Sequence, residues 1–313
     1  MTLTDIFLNS HGRPRSGWRF LIFVLLFLFC TILVEFFVAT VLTRVTGFER
    51  GTTASMFINS GVSLFLAIII GWFCEKLLEG LPFRALGAAF TKYWLKHITL
   101  GVILGGVTIL IAILFAVALG GLGFRVNEAA GFLAVFRALA ASFVVFAVAA
   151  AFEEALCRGY VLQTFARAGL AWPAIILTAL FFGAGHLGNP NVNWIAVANT
   201  VLAGVWFGIA WIRTRDLWLA FGMHFMWNWL QGSIFGIEVS GLKEISKAPL
   251  LLELDRGPAW LTGADYGLEG SISCTIALVV STVAIYFLPL LKPDEELLAM
   301  TDRENSTTPA VIV

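Results

Sequence analysis

Three charged residues lie close together inside an otherwise apolar stretch of the sequence. Glu153, Glu154 and Arg158 fall in the helix-like segment AFEEALCRGYVLQTF. Charged groups in apolar surroundings are costly, so they indicate either function or pairing. Glu154 and Arg158 are four residues apart with the acid first, which favours an ion pair along one helix. Glu153 lies about 100° round the helix axis, so it is able to face a different neighbour.

Two further apolar segments each contain one histidine. Phe182 and His186 are separated by the small residues 183–185, which allow another helix to come close. His224 and Asn228 are one helical turn apart and therefore share a face. We predict that these polar side chains point into the interior of a helix bundle.

Glu153, His186, His224 and Asn228 are residue types that can hydrolyse an amide. A carboxylate accepts the proton of a water molecule, an imidazole orients that water, and polar donors stabilise the tetrahedral oxyanion. Glu153 and His186 each lie fourteen residues, about 21 Å of helix, from the turn that joins their predicted helices. His224 and Asn228 fall near the same level, which predicts one site built from all four.

The composition indicates that these helices lie in a membrane. The 313 residues are 59% hydrophobic and only 13% charged, with a mean hydropathy of +0.89. Twenty basic residues balance twenty acidic ones, which excludes a basic surface for nucleic acid. The four cysteines form no CxxC pair, which argues against a disulfide framework or a thiolate metal site.

Eight stretches are apolar and long enough, or nearly so, to cross about 30 Å of hydrocarbon. We therefore predict an all-α fold, a polytopic membrane helix bundle of about eight transmembrane helices. The integral membrane domain covers 18–291, between a cytoplasmic N-terminal tail, 1–17, and a disordered cytoplasmic tail, 292–313. The predicted spans are 18–41, 54–74, 98–119, 138–165, 172–188, 194–212, 216–235 and 272–291.

The distribution of lysine and arginine predicts the orientation of the chain. Thirteen of the twenty basic residues fall on the side of the two tails and seven on the other side. Cytoplasmic loops carry the excess of positive charge, so we predict that both termini are cytoplasmic. The plasma membrane is the expected location.

Three more acidic residues lie in or beside apolar segments. Glu35 falls in the first span without an evident partner, so we interpret it as snorkelling or as a helix contact. Asp265 and Glu269 precede the last span, within a segment, 236–271, that we predict to be the largest exposed loop. They either cap the outer side of the cavity or belong to an ordinary turn-rich loop, which is the simpler interpretation.

The three motifs resemble those of the CAAX protease and bacteriocin-processing (CPBP) family, also called Abi proteins, which includes the Ras-converting CAAX endopeptidase. EExxxR begins at Glu153, FxxxH at Phe182 and HxxxN at His224, in the order typical of the family. The resemblance covers about 150–230, within a protease-like core at about 138–235. It implies an eight-helix intramembrane endopeptidase.

The resemblance also implies a role for each motif residue. Glu153 and His186 would activate the attacking water, while His224 and Asn228 would form the oxyanion site. Glu153, His186 and His224 could also supply a His2Glu zinc set, but no HExxH brings two ligands together, so we predict no bound metal or other cofactor. The supporting residues are Glu154 and Arg158, as structural supports for Glu153, and Phe182.

The predicted partners are the lipid bilayer and a membrane-associated peptide or protein, and the motifs do not decide whether that substrate is prenylated. Two other functions stay open. A proton-coupled transporter would also need a cluster of glutamates and histidines, although no repeat halves or paired discontinuous helices are visible. A catalytically silent membrane scaffold of the same fold is the third possibility.

Overall fold

Eight long helices, two short strands and a short C-terminal helix make up the main architecture. The computed structural model describes residues 6–46, 52–243, 245 and 247–301. The long helices are α1 (Ser16–Thr46), α2 (Thr53–Glu79), α3 (Trp94–Ala118), α4 (Phe132–Arg167), α5 (Ala171–Gly185), α6 (Trp194–Thr214), α7 (Trp218–Trp229) and α8 (Ile272–Phe287). The strands are β1 (Leu122–Val126) and β2 (Leu251–Asp255), and the last helix is α9 (Glu295–Thr301).

This architecture confirms the predicted helical membrane bundle. Among the described residues, α1, α2, α3, α4 and α6 are long and apolar enough to cross a membrane, by length and composition. Helices α5 and α8 are apolar but shorter. The eight predicted spans correspond one by one to α1–α8, because a sustained apolar run of this length has few alternatives to a helix in lipid.

Small residues let α3 and α7 approach closely. A Cβ atom on Gly101 or Gly105 of α3 would collide with the backbone of α7, at Leu219 and Met223 respectively. A Cβ on Gly222 of α7 would lie 2.6 Å from the carbonyl oxygen of Ile98. Such contacts between backbones are a principal source of helix association in membranes. They fix the helix that carries His224.

Helices α5 and α6 meet in the same way. A Cβ on Gly204 of α6 would lie 2.6 Å from the Cα of Ala179, and one on Gly208 would lie 2.7 Å from the side chain of Ile175. Gly183, inside the FxxxH motif, faces Val201 of α6 at 2.5 Å by the same measure. Of the small residues 183–185 predicted to allow a close helix, Gly183 therefore does so, whereas Ala184 and Gly185 are exposed. This packing places His186 at the end of α5.

Helix α4 changes its hydrogen-bonding pattern directly after the two motif glutamates. Residues Ala155–Val161 form a π-helical turn, and within it Gly159 has a non-helical ψ of −122°. Turns of this kind are rare inside α-helices and occur frequently at functional sites. The turn sets the rotation of Glu153 and Glu154 relative to the end of α4.

A buried ion network joins α1, α2 and α4 at the end of the bundle that we call the Arg167 end. Arg167 contacts Glu79 through Nε at 2.7 Å and Glu75 through Nη2 at 3.3 Å. Arg19 of α1 contacts the same Glu79 carboxylate at 3.1 Å. The side chains of these four residues are at most 3% exposed. The network therefore fixes the start of α1 and the ends of α2 and α4 relative to one another.

A two-stranded sheet lies at the opposite end of α4, which we call the sheet end. Strand β1 pairs antiparallel with β2, with Leu122 opposite Asp255 and Val126 opposite Leu251. The segment 236–271, predicted to be the largest exposed loop, therefore contains a partly buried strand. The partner strands are far apart in the sequence, so no local pattern indicated that they pair.

The prediction of a disordered tail from residue 292 was wrong for its first part. Helix α9 is amphipathic in its contacts: Met300 packs with Leu81 and Ala85, and Leu297 is buried. Asp294 accepts a hydrogen bond from the backbone N–H of Glu296, which caps the helix. Apolar burial against the Arg167 end provides the stability that the sequence of the tail does not reveal. Residues 302–313 lie outside the described part of the chain.

Candidate active site

The four predicted catalytic residues line one cavity. The cavity has a volume of about 410 Å³ and lies among α4, α5, α6, α7 and the segment before α8. Glu153, His186, His224 and Asn228 all contribute to its wall. The rest of the lining is largely aromatic and aliphatic, including Phe146, Phe152, Leu156, Phe181, Trp206 and Trp227. A mostly apolar cavity with a few convergent polar groups is typical of a ligand site.

His224 is oriented by the second glutamate of the first motif. Its Nδ1 lies 2.9 Å from Oε1 of Glu154, and both side chains are almost completely buried. Because a carboxylate accepts, Nδ1–H donates, and Nε2 is left to face Oε2 of Glu153 at 3.6 Å. The ring also stacks on Phe207, with 4.7 Å between centroids. The imidazole is therefore held on one edge and one face.

The predicted ion pair within α4 is confirmed. Nη1 of Arg158 lies 3.1 Å from Oε1 of Glu154, and Nη2 donates to the carbonyl of Gly204 at 2.9 Å. The guanidinium lies over the rings of Phe182 and Phe207, 5.0 Å from each centroid. This contact gives Phe182 of the FxxxH motif a packing role. Glu154 makes its hydrogen bonds to Arg158 and His224, so its direct contact is with the histidine, whereas the resemblance implied support of Glu153.

Glu153 differs from its neighbour in being available to a substrate. Its side chain is 28% exposed, and Oε2 has no hydrogen-bond partner among the described residues. A carboxylate oxygen without a partner in an enclosed space retains its lone pairs for a proton or a water molecule. The structure thus separates the two adjacent glutamates, one bound within the protein and one facing the cavity.

His186 stands at the C-terminal cap of α5. Its Nδ1 lies 2.8 Å from the carbonyl oxygen of Phe182, four residues earlier. A carbonyl only accepts, so Nδ1 carries the hydrogen and the neutral ring keeps a lone pair on Nε2. The imidazole is half-buried and packs on Phe182 at 4.8 Å. A neutral histidine in this tautomer is able to accept a hydrogen bond from water.

The cavity contains one acidic residue that the motifs did not include. Glu269, in the turn segment before α8, lines it together with Ser240, and its Oε2 accepts from the backbone N–H and the hydroxyl of Ser240 at 2.5 and 2.8 Å. Burial raises the pKa of Glu269, while the Ser240 hydrogen bonds lower it. Of the two acidic residues predicted either to cap the cavity or to lie in a loop, Glu269 reaches it. Asp265 is 70% exposed and pairs with Lys243 instead.

The donor set does not fit a metal ion. Within the described ranges, no three His, Cys, Asp or Glu side chains surround a common point. Glu153 and His224 are close to one another, but no third His, Cys, Asp or Glu side chain among the described residues joins them. A catalytic zinc site needs three protein ligands at about 2 Å from one ion. No step below therefore uses a metal.

Comparison with known proteins supports the family that the motifs indicated. The family model for type II CAAX prenyl endopeptidases, Rce1-like, matches residues 135–230. This range includes the three motifs and the helices α5 and α6 between them. No curated protein matches the chain. The predicted resemblance to the CPBP family is thus confirmed, and over residues 135–230 the chain is similar to the type II CAAX prenyl endopeptidases.

Proposed function

We propose that this protein is an intramembrane endopeptidase that hydrolyses a peptide bond of a membrane-associated, prenylated (CAAX-type) substrate. The observation that carries the proposal is the convergence of Glu153, His186, His224 and Asn228 on one cavity inside a helical membrane bundle. The family match over 135–230 favours a hydrolase over the transporter and the silent scaffold.

In the proposed mechanism, a water molecule lies between Glu153 and His186. Nε2 of His186 accepts one hydrogen bond and orients the water, while Glu153 takes the other proton. The resulting hydroxide attacks the carbon of the scissile carbonyl, forming the tetrahedral intermediate. Glu153 then returns its proton to the departing amine nitrogen, so the C–N bond breaks and the carboxylate is regenerated.

The carbonyl oxygen becomes an oxyanion that must be stabilised by donors. Nε2 of His224 and the side-chain amide of Asn228 supply them in this mechanism, and removing such a donor typically costs 10²–10³ in rate. Nε2 donates only when His224 is an imidazolium. Glu153 and Glu154 on either side of the ring favour that charged form, since opposite charges close together stabilise each other.

The mostly apolar wall suits a substrate that arrives from the bilayer with a lipid or hydrophobic segment. Phe146, Phe152, Leu156 and Phe181 form such a wall on the α4 and α5 side of the cavity. An isoprenyl group contributes only apolar surface, which this wall would bury favourably. A prenylated peptide is therefore the first substrate to try.

The experiment uses the purified full chain in liposomes with a prenylated fluorogenic CAAX peptide. We expect cleavage by the wild type and loss of cleavage in Glu153→Gln and His186→Ala, with no effect of a chelator. Glu35→Gln is the matched control, because that carboxyl lies in α1 and does not line the cavity. Equal cleavage by Glu153→Gln and the wild type would contradict the mechanism, and proton uptake without cleavage would favour the transporter.

We also propose that the Arg167 end and both termini face the cytoplasm, in the plasma membrane. The excess of lysine and arginine on the side of the tails supports this orientation. Single cysteines placed at Asp265 and at Glu296, in a variant without the four native cysteines, test it in whole cells. A membrane-impermeant thiol reagent should label the first position and not the second.

A further inference from the structure

The cavity has polar residues other than the four predicted catalytic ones. Glu269, Ser240, Asn189 and Thr200 line it on segments toward the sheet end, whereas much of the remaining wall is aromatic and aliphatic. Among the described residues no lysine or arginine lines the cavity, whereas two carboxylates, those of Glu153 and Glu269, do. The described lining therefore has carboxyl groups in this space and no permanently charged cation beside them.

The backbone of Glu269 is held in place by hydrogen bonds from the side chain of Asn199. Nδ2 of Asn199 donates to the carbonyl oxygens of Glu269 and Ser271, at 2.8 and 2.7 Å. Thr275 in turn donates to Oδ1 of Asn199 at 2.6 Å, and Asn199 is only 2% exposed. A polar network that is fully bonded and buried fixes the position of the group it holds. The Glu269 side chain thus starts from a rigid base.

Ser240, which donates to Glu269, has a backbone conformation that is rare for a residue other than glycine. Ser240 has a φ of +52°, in the left-handed region, and Gly241 follows with a φ of +79°. Gly267, two residues before Glu269, has a φ of +87°, and a Cβ there would collide with the carbonyl of Glu238. Strained conformations persist only where the surrounding structure enforces them, and they cluster at ligand sites.

The hydrogen bonds of Glu269 leave its charge unmatched. Both Ser240 donors are neutral, they bind the same oxygen, Oε2, and neither uses Oε1. Trp227, also a neutral donor, hydrogen-bonds the Glu269 side chain as well, and His186 lowers the pKa of Glu269 only when its own ring is protonated. A buried carboxylate is costly unless it is paired with a cation. A positively charged group of a substrate that enters the cavity would stabilise the Glu269 carboxylate and offset its desolvation.

We propose that Glu269, with Ser240, forms a subsite that binds a lysine or arginine side chain of the substrate within three residues of the scissile bond. This proposal rests on the proposed endopeptidase function. Glu269 then determines specificity and takes no part in the bond cleavage. The substrate would combine an apolar or lipidated part, bound along α4 and α5, with a basic residue directed toward the sheet end.

The test compares peptides that differ in one charge. Each prenylated fluorogenic peptide carries one lysine or, in its matched partner, one acetyl-lysine. The set of peptides places this residue in turn at each of the three positions on either side of the cleaved bond. At one position we expect the wild type to prefer lysine by about tenfold in kcat/KM, the size of a charge-assisted hydrogen bond. In Glu269→Gln the lysine to acetyl-lysine ratio should fall to about one.

Asp265→Asn is the matched control, because Asp265 lies four residues from Glu269, pairs with Lys243 and does not line the cavity. It should keep the ratio of the wild type. The same ratio in Glu269→Gln and the wild type at every position, or no preference for lysine in the wild type, would overturn the subsite.

A binding measurement separates this proposal from the proposed function. The affinity of the preferred lysine peptide is measured for Glu153→Gln and for the double variant Glu153→Gln/Glu269→Gln, so that cleavage is not required. We expect the double variant to bind about tenfold more weakly. Equal binding would contradict the subsite even if the chain is a protease. Cleavage that persists in Glu153→Gln would contradict the proposed mechanism even if the subsite exists.

Discussion

The structure contains two pairs of glutamates, both within apolar helices, that behave differently. Glu75 and Glu79 at the Arg167 end contact Arg167, and Glu79 also contacts Arg19. Glu153 and Glu154 in the middle of α4 are divided: Glu154 binds Arg158 and His224, and Glu153 has only His224 at 3.6 Å. Both glutamates of the first pair contact guanidinium groups. In the second pair only Glu154 does, and Glu153 faces the cavity.

This difference separates a structural carboxylate from a reactive one. Glu79 and Glu154 are at most 3% exposed and bind charged partners, so their negative charge is already neutralised. Glu153 is 28% exposed to a cavity and retains an oxygen with no partner among the described residues. The availability of a carboxylate oxygen, and not burial alone, marks the residue suited to accept a proton.

Replacing Glu153 should give the largest effect on activity. Glu153→Gln removes the proton acceptor and keeps the size of the side chain, so we expect kcat/KM to fall by about 10³–10⁴. The midpoint of thermal unfolding should stay almost unchanged, because Oε2 of Glu153 has no hydrogen-bond partner among the described residues. Cleavage assays and unfolding in the same detergent check both. A large loss of stability would place Glu153 with the structural carboxylates.

Replacing Glu79 should affect stability instead. Glu79→Gln leaves Arg167 and Arg19 buried with one charge fewer, and breaking such a network typically costs about 3–5 kcal/mol. The free energy of unfolding is the measurement, with activity normalised to folded protein. The control is Glu296→Gln, which breaks the exposed Arg84–Glu296 pair and should cost less than about 1 kcal/mol. Unchanged stability in Glu79→Gln would contradict the assignment of Glu79 as a structural carboxylate.

Replacing Glu154 should give an intermediate result with two readouts. Glu154→Gln removes the charge that orients His224 and pairs with Arg158, and groups that orient a catalytic residue typically contribute 10–100-fold. We expect kcat to fall by this factor with KM little changed, together with a moderate loss of stability. Loss of stability with full specific activity would leave Glu154 a purely structural residue.

Glu253 on β2 should give the smallest effect, one that depends on pH. Burial and the neighbouring Glu238 and Asp255 raise its pKa to about 8. The folded state therefore keeps a proton that the unfolded chain loses above about pH 4.5, so stability from this group is full below pH 4.5 and falls as the pH rises to about 8. Glu253→Gln should be neutral at low pH and stabilising, by less than about 1 kcal/mol, at pH 8–9.

The control for the Glu253 prediction is Glu128→Gln, because Glu128 is an exposed glutamate near the same sheet. Its unfolding midpoint should follow that of the wild type at every pH. A gain of stability in Glu253→Gln that does not change between low and high pH would contradict the titration.

The helices and the motif residues could be predicted from sequence because their signals are local. An apolar run fixes a span, and the i,i+4 spacing of Glu154 and Arg158 fixes their ion pair. The common level of Glu153 and His186 followed from counting residues from the turn between their helices. Each inference needed only one helix or one hairpin.

The features that sequence did not predict are those in which distant segments meet. The pairing of β1 with β2, the contact of Glu75 and Glu79 with Arg167, and the arrival of Glu269 at the cavity join residues far apart in the chain. The bond from Glu154 to His224 belongs to the same class. A glutamate could pair with any of several arginines or histidines elsewhere in the chain, so only the fold shows which pair forms.

The π-helical turn at Ala155–Val161 makes the length of α4 a constraint on variation in related genes. A helix rotates by about 100° for each residue, so deleting or inserting one residue in this turn would turn Glu153 and Arg167 relative to each other by that angle. Either the catalytic face or the Arg167 end would then lose its partners. Insertions and deletions should therefore be absent from this segment among relatives.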